Sequence, residues 1–233
     1  MGYFYGFDEY YLLLVVPAFI FSLYAQYKVK STFSKYQRLQ SKYGYTGAEV
    51  SRIILDRNQL HNVSVQMTGG SLTDHYDPRT QVIRLSQSVY GNRSVAALGV
   101  AAHETGHAIQ HKIGYKPLVL RGTLVPVANI GSMAGPYLAI FGLIFNFLQL
   151  TYVGIILYAG AVAFYLVTLP VEINASKRAI EALETSGILA WDEVEPARKV
   201  LRAAAMTYLA SAAVAIASLL RLIMLTNNRR RRN

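Results

Sequence analysis

The chain has no cysteine, one tryptophan, and only 13 acidic residues against 23 lysines and arginines in 233 positions. The missing cysteine excludes disulfides, thiolate nucleophiles and Cys-type zinc sites, so any metal ligand must be His, Asp or Glu. Charge of either sign is sparse: 15% of residues are charged and 53% are hydrophobic. That balance, with its long uncharged runs, is too apolar for a water-soluble domain and reads as a membrane protein. The net charge of +10 does not indicate nucleic-acid binding. No nucleic-acid motif is present, and the cations cluster beside apolar segments, where they set membrane orientation.

Four apolar stretches approach the roughly 20 residues that a spanning helix needs. They cover 10–27, 123–148, 151–170 and 203–226. The first has neither a cationic leader nor a small-residue cleavage site, which predicts an uncleaved anchor. The implied organisation is a transmembrane anchor at 1–27, a polar region at 28–122, a transmembrane hairpin at 123–170, a helix at 171–202, and an apolar helix with a basic tail at 203–233. The predicted fold class is a mainly α membrane protein, with three or four transmembrane helices plus a small α+β domain.

Lysine and arginine near membrane ends resist translocation. Lys28, Lys30, Lys35, Arg38 and Lys42 follow the first stretch, while Asp8 and Glu9 precede it. Lys112, Lys116, Arg121, Lys177, Arg178, Arg198, Lys199 and Arg202 fall on the same predicted side, so a cytoplasmic polar region is expected. The arginine run at 229–232 disagrees if all four stretches cross. The last stretch also carries Arg221, and incomplete crossing there removes the conflict.

Within the polar region, Thr46-Gly47-Ala48-Glu49 is a capping box that opens a helix to about Asn58. The segment "VSVQMTGGSLTDHYDPRTQVIRL" alternates as strands do, with Gly69-Gly70 and Asp77-Pro78 as turn chemistry. Asn92 or Ser94 can cap the next helix and Gly114 can close it.

That helix carries "AAHETGHAIQ". His103 and His107, four residues apart, project from one helix face about a turn apart, so both imidazoles can reach one ion. Glu104 can hold a water on that ion, and zinc is the cofactor such a His-Glu-x-x-His pattern suits. A third ligand is required. His111 fails, because it sits about 12 Å along the axis from His103 at the helical rise. His61 and His75 are possible, and Glu172 in "TLPVEINASKRAIEAL" is better. Pro170 can begin a helix with Glu172 and Ser176 on one face, and an acid at a membrane boundary needs a partner. The short-looped hairpin returns the chain to the side it left, which brings Glu172 back toward the His103 helix. The bland alternative is a surface glutamate paired with Lys177 or Arg178. A donor for the developing oxyanion is also needed, and His75 or Tyr76 can supply it; alternatively His75 only satisfies the Asp77-Pro78 turn.

His-Glu-Thr-Gly-His, an apolar hairpin, then Glu172 and Ser176 resemble the gluzincin pattern of the CAAX prenyl and HtpX-type membrane proteases. More closely, "TGAEVSRIIL", "LTDHYDPRTQVIRLS" and "AALGVAAHETGHAIQ" resemble the YugP-type zinc metallopeptidases of bacterial membranes. The resemblance implies zinc on His103, His107 and Glu172, Glu104 as general base, and protein or peptide substrates at the lipid bilayer. One departure is Ser176, which stands where gluzincins carry an aspartate behind a zinc-bound histidine; a hydroxyl can accept that bond but brings no charge. A site-2-type intramembrane protease fits less well, because Asn92, Arg93, Gln110, His111 and Lys112 bound the motif helix. A non-catalytic scaffold that retains a metal, a regulatory membrane partner and an oligomer remain compatible with these residues.

Overall fold

The structure is a computed structural model, and it describes residues 8–230. The chain is mostly helical: α1 (Val16–Gln37, entered through a π-helical turn at Tyr11–Val15), α2 (Gly47–Arg57), β1 (Ser64–Thr68), β2 (His75–Asp77), β3 (Val82–Ser86), α3 (Gln87–Tyr90), α4 (Val95–Lys112), α5 (Lys116–Ile144), α6 (Leu148–Thr185) and α7 (Trp191–Arg230). It divides into two compact units, one of residues 1–26, 120–169 and 207–233, the other of residues 27–119 and 170–206.

In the first unit the apolar stretches are helical. Four helices are long and apolar enough to cross a bilayer: Tyr11–Gln37, Lys116–Ile144, Leu148–Thr185 and Trp191–Arg229. The α5–α6 hairpin closes on small residues. Cβ atoms added at Gly131, Gly142 and Gly154 would collide with Leu157, Thr151 and Ala139 respectively. Small faces of this kind let two backbones approach where lipid offers no hydrophobic drive to association. The turn lies at 145–147, with Asn146 at φ 58°, slightly before the gap between the apolar stretches 123–148 and 151–170. Pro126 and Pro136 sit inside α5, which membrane helices tolerate when their surroundings satisfy the freed carbonyls. Asp8 and Arg221 form an ion pair 2.6 Å apart, with side chains 9% and 11% exposed. The arginine in the last apolar stretch therefore has a partner 213 residues away.

The second unit holds the sheet and the motif helix. The capping box forms as expected: Glu49 N–H donates to Thr46 Oγ1 at 3.3 Å, and Thr46 N–H donates to the Glu49 carboxylate at 2.8 Å. Ser94 caps α4 by accepting from Ala97 N–H, and Gly114 closes it at φ 61°, as Tyr115 N–H reaches back to the Gln110 carbonyl. The sheet has the order β1-β3-β2. β2 pairs antiparallel with β3 across the Asp77-Pro78 turn, whereas β1 pairs parallel with β3, Ser64 opposite Val82. The central strand β3 is largely buried, and β1 is an exposed edge. The unit's core joins Val50, Ile54 and Leu55 of α2, Ile83 and Leu85 of β3, Leu98 and Ala101 of α4, and Ile180 and Leu183 of α6.

One local expectation fails. Pro170 does not start a helix; it lies inside the continuous α6. Its missing N–H removes a single bond from a helix already fixed on both sides by packing, which a Pro-tolerant helix survives.

Candidate metal centre

α4 is built narrow so that its neighbours can come close. Gly106 sits against the backbone of Ala175 in α6, where an added Cβ would lie 2.7 Å from the Ala175 carbonyl oxygen. This contact holds α4 and the 170–176 turn of α6 within reach of each other's side chains. His103, His107 and Glu172 then converge, with one ligand atom from each within 4.8 Å of the others.

The site is buried. His103 is 9% exposed, His107 8%, Glu104 8% and Glu172 2%. Glu172 Oε2 lies 3.2 Å from His103 Nε2 and 3.5 Å from His107 Nε2. Ligands about 2.0–2.2 Å from a tetrahedral zinc stand roughly 3.3 Å apart, so the observed spacing fits one shared ion. The electrostatics agree. Burial works against charge on His107, but its hydrogen bond to Glu172 and the charges of Glu104 and Glu172 outweigh it and raise its pKa above the ordinary value. A pocket that draws a proton onto a buried imidazole also favours a cation. Two histidines and one carboxylate are the donor set of an open catalytic zinc site, which leaves a fourth position for water or substrate.

The far sides of both rings are engaged. His103 Nδ1 is 3.1 Å from Ser176 Oγ, and His107 Nδ1 is 3.0 Å from Gln110 Oε1. Gln110, fully buried, also donates Nε2–H to the Val171 carbonyl at 2.8 Å and to Asn174 Oδ1 at 2.9 Å. Sequence reasoning singled out Ser176 and missed Gln110. The available signal was a glutamine three residues after His107, on the ligand face of a helix otherwise lined by alanine and glycine.

The remaining histidines lie elsewhere. His61 pairs with Asp56 at 3.0 Å on an exposed surface, and His111 accepts or donates at 2.8 Å with the Tyr76 hydroxyl. His75 is exposed, its Nδ1 2.8 Å from the Thr73 carbonyl oxygen. Along β2 the side chains alternate, and it is Tyr76 whose hydroxyl reaches α4.

Residues 11–227 match the family described as "Putative neutral zinc metallopeptidase". The chain is also 46% identical over 223 residues to the "Putative membrane protease YugP" of Bacillus subtilis (strain 168), a match spanning 96% of this chain and 99% of that protein. No solved structure matches the chain. Four membrane-length helices, a buried His-His-Glu cluster and these likenesses converge, and the chain belongs to the neutral zinc metallopeptidase family.

Proposed function

We propose that the protein is a membrane-embedded endopeptidase that hydrolyses peptide bonds of proteins or peptides close to the bilayer, with zinc held by His103, His107 and Glu172 and with Glu104 as general base. The observation that carries this reading is the convergence of three ligand atoms within 4.8 Å, directly beside a second carboxylate on the same helix. Zinc bound there supplies a Lewis acid that lowers the pKa of water toward 7 and polarises a carbonyl. Glu104 adjoins the ligand His103, and among the described residues none hydrogen-bonds its carboxylate. It is therefore available to orient a water, take its proton and return it to the leaving amine. Tyr76, which reaches α4 through His111, and His75 on the same strand are the candidate donors to the oxyanion. Edge-strand backbone offers a surface on which an extended peptide can lie.

Residues 28–122 and 171–202 form the catalytic part, 123–170 the hairpin that returns Glu172 to it, and 1–27 and 203–233 the flanking membrane segments. The thirteen cations that flank the apolar stretches beside these parts support a site at the cytoplasmic face. The test is a Glu104→Gln variant in detergent: zinc content is unchanged and proteolysis of a casein-type substrate falls by about 10²-fold or more. Equal cleavage by both forms overturns the proposal.

A further inference from the structure

Gln110 makes three side-chain hydrogen bonds beside the cluster, to the His107 ring, the Val171 carbonyl and Asn174. Its orientation is fixed by two independent partners. The Val171 carbonyl oxygen can only accept, so the amide end 2.8 Å from it must be the NH2 group. Asn174 Oδ1 accepts from Arg178 Nε at 2.9 Å, and because a guanidinium only donates, that oxygen is fixed as an acceptor too. The amide end facing it must again be NH2. Gln110 Oε1 is therefore the atom turned to His107, and His107 Nδ1 must carry the hydrogen between them.

A ring whose Nδ1 holds its proton presents Nε2 as the lone pair, and Nε2 is the atom facing Glu172. The other ligand lacks such a fixed polarity: Ser176 Oγ can donate to or accept from His103 Nδ1. Gln110 also bonds the carbonyl of Val171, the residue next to Glu172, so one side chain ties the ring of one ligand to the helix turn carrying another.

Resting on the zinc reading above, we propose that Gln110 is the positioning residue of the centre. It fixes His107 in the Nδ1–H tautomer through a hydrogen-bond polarity passed from Arg178 and the Val171 carbonyl, and it does so with a neutral amide where metal sites commonly use a carboxylate.

The test compares Gln110→Met, which keeps length and burial but removes every bond, with Gln110→Glu, which keeps the acceptor for His107 and, as a neutral acid, a donor for the Val171 carbonyl. Zinc affinity is measured by chelator competition, and the protonated ring nitrogen is read by 15N-histidine NMR of the zinc-loaded protein. The expected result is a 10- to 100-fold loss of affinity for Gln110→Met with loss of the hydrogen-bonded Nδ1–H resonance, and recovery of both by Gln110→Glu. Affinity unchanged in Gln110→Met overturns the proposal. So does an equal loss in both variants, which is what a purely structural role produces. His107→Ala separates the two readings. If it binds zinc as the native chain does, the zinc assignment itself fails. If it loses zinc while Gln110→Met does not, only the role of Gln110 fails. Where Gln110→Met does not fold, Gln110→Glu against the native chain carries the test: the Nδ1–H resonance is retained, or the proposal falls.

Discussion

Gly106 of α4 and Ala175 of α6 meet backbone to backbone, with no space for a Cβ between them. The contact sets the separation of the two helices that carry His103, His107 and Glu172. Gly106→Ala is therefore expected to pit a gain of about 0.5–1 kcal/mol in helix propensity against overpacking of about 1–3 kcal/mol. The net result is a lower melting temperature and reduced zinc content. Gly99→Ala is the control on the same helix, since its Cβ would meet Ala197 at an ordinary 3.7 Å. That variant is expected to melt no lower than the native chain and to keep its zinc. Melting curves and metal analysis of the two purified variants check the pair.

Removing a ligand differs from removing the base. Glu172→Ala leaves two buried imidazoles without their shared anion, and zinc stoichiometry is expected to fall well below one per chain. Glu104→Gln is expected to keep it. Inductively coupled plasma analysis after dialysis against a weak chelator distinguishes them; zinc retained by Glu172→Ala would remove the third anchor.

The Asp77 carboxylate is held down to about 2 by the Thr80 hydroxyl, then the Arg79 N–H, with Arg84 adding to these against a small cost of desolvation. Its folded value lies below the ordinary 3.8. The contribution to the β2–β3 turn is therefore complete above the unfolded value and is lost as pH falls through the folded one. Amide protection in β2 and β3 is expected to decline between about pH 4 and pH 2 in the native chain. Asp77→Asn is expected to show no such step in hydrogen exchange over that window.

Much of this architecture is legible from residue order because its causes are local. Thr46 with Glu49 and Ser94 with Gly114 mark helix ends by backbone hydrogen bonding alone. The spacing of His103 and His107 fixes their shared face, and a short turn between two membrane-length helices brings Glu172 back toward them. What escaped has non-local causes. The parallel pairing of β1 with β3 depends on β3 inserting between strands that are consecutive in sequence. Gln110 gains meaning only when Val171 and Asn174 pack beside it. Pro170 looks like a helix start because propensity is local, whereas the helix through it is held by contacts on both sides.

Asp8 and Arg221 escaped for the same reason, and their pairing bears on how many times the chain crosses. Both side chains are almost wholly buried at 2.6 Å, and Arg221 also stacks its guanidinium over Tyr11 at 5.2 Å. Breaking one half of such a pair leaves an uncompensated charge and costs about 3–5 kcal/mol, whereas replacing both halves by apolar residues is close to neutral. Arg221→Leu alone is expected to destabilise the protein strongly, and Asp8→Leu with Arg221→Leu is expected to recover most of the loss in a detergent melting series. The pair also puts the start of the first membrane helix and the end of the last at one depth. Lys28 and Lys30 lie toward the other end of α1, so if α1 and α7 both cross, as their length and apolarity allow, Asn228 is expected on the face opposite Lys28 and Lys30. The native chain has no cysteine, which makes the check direct. Asn228→Cys is expected to react with a membrane-impermeant maleimide in intact cells, and Ser31→Cys only after the membrane is opened. Labelling of both from one side would mean that α7 does not span, and that the cation count rather than the ion pair governs its topology.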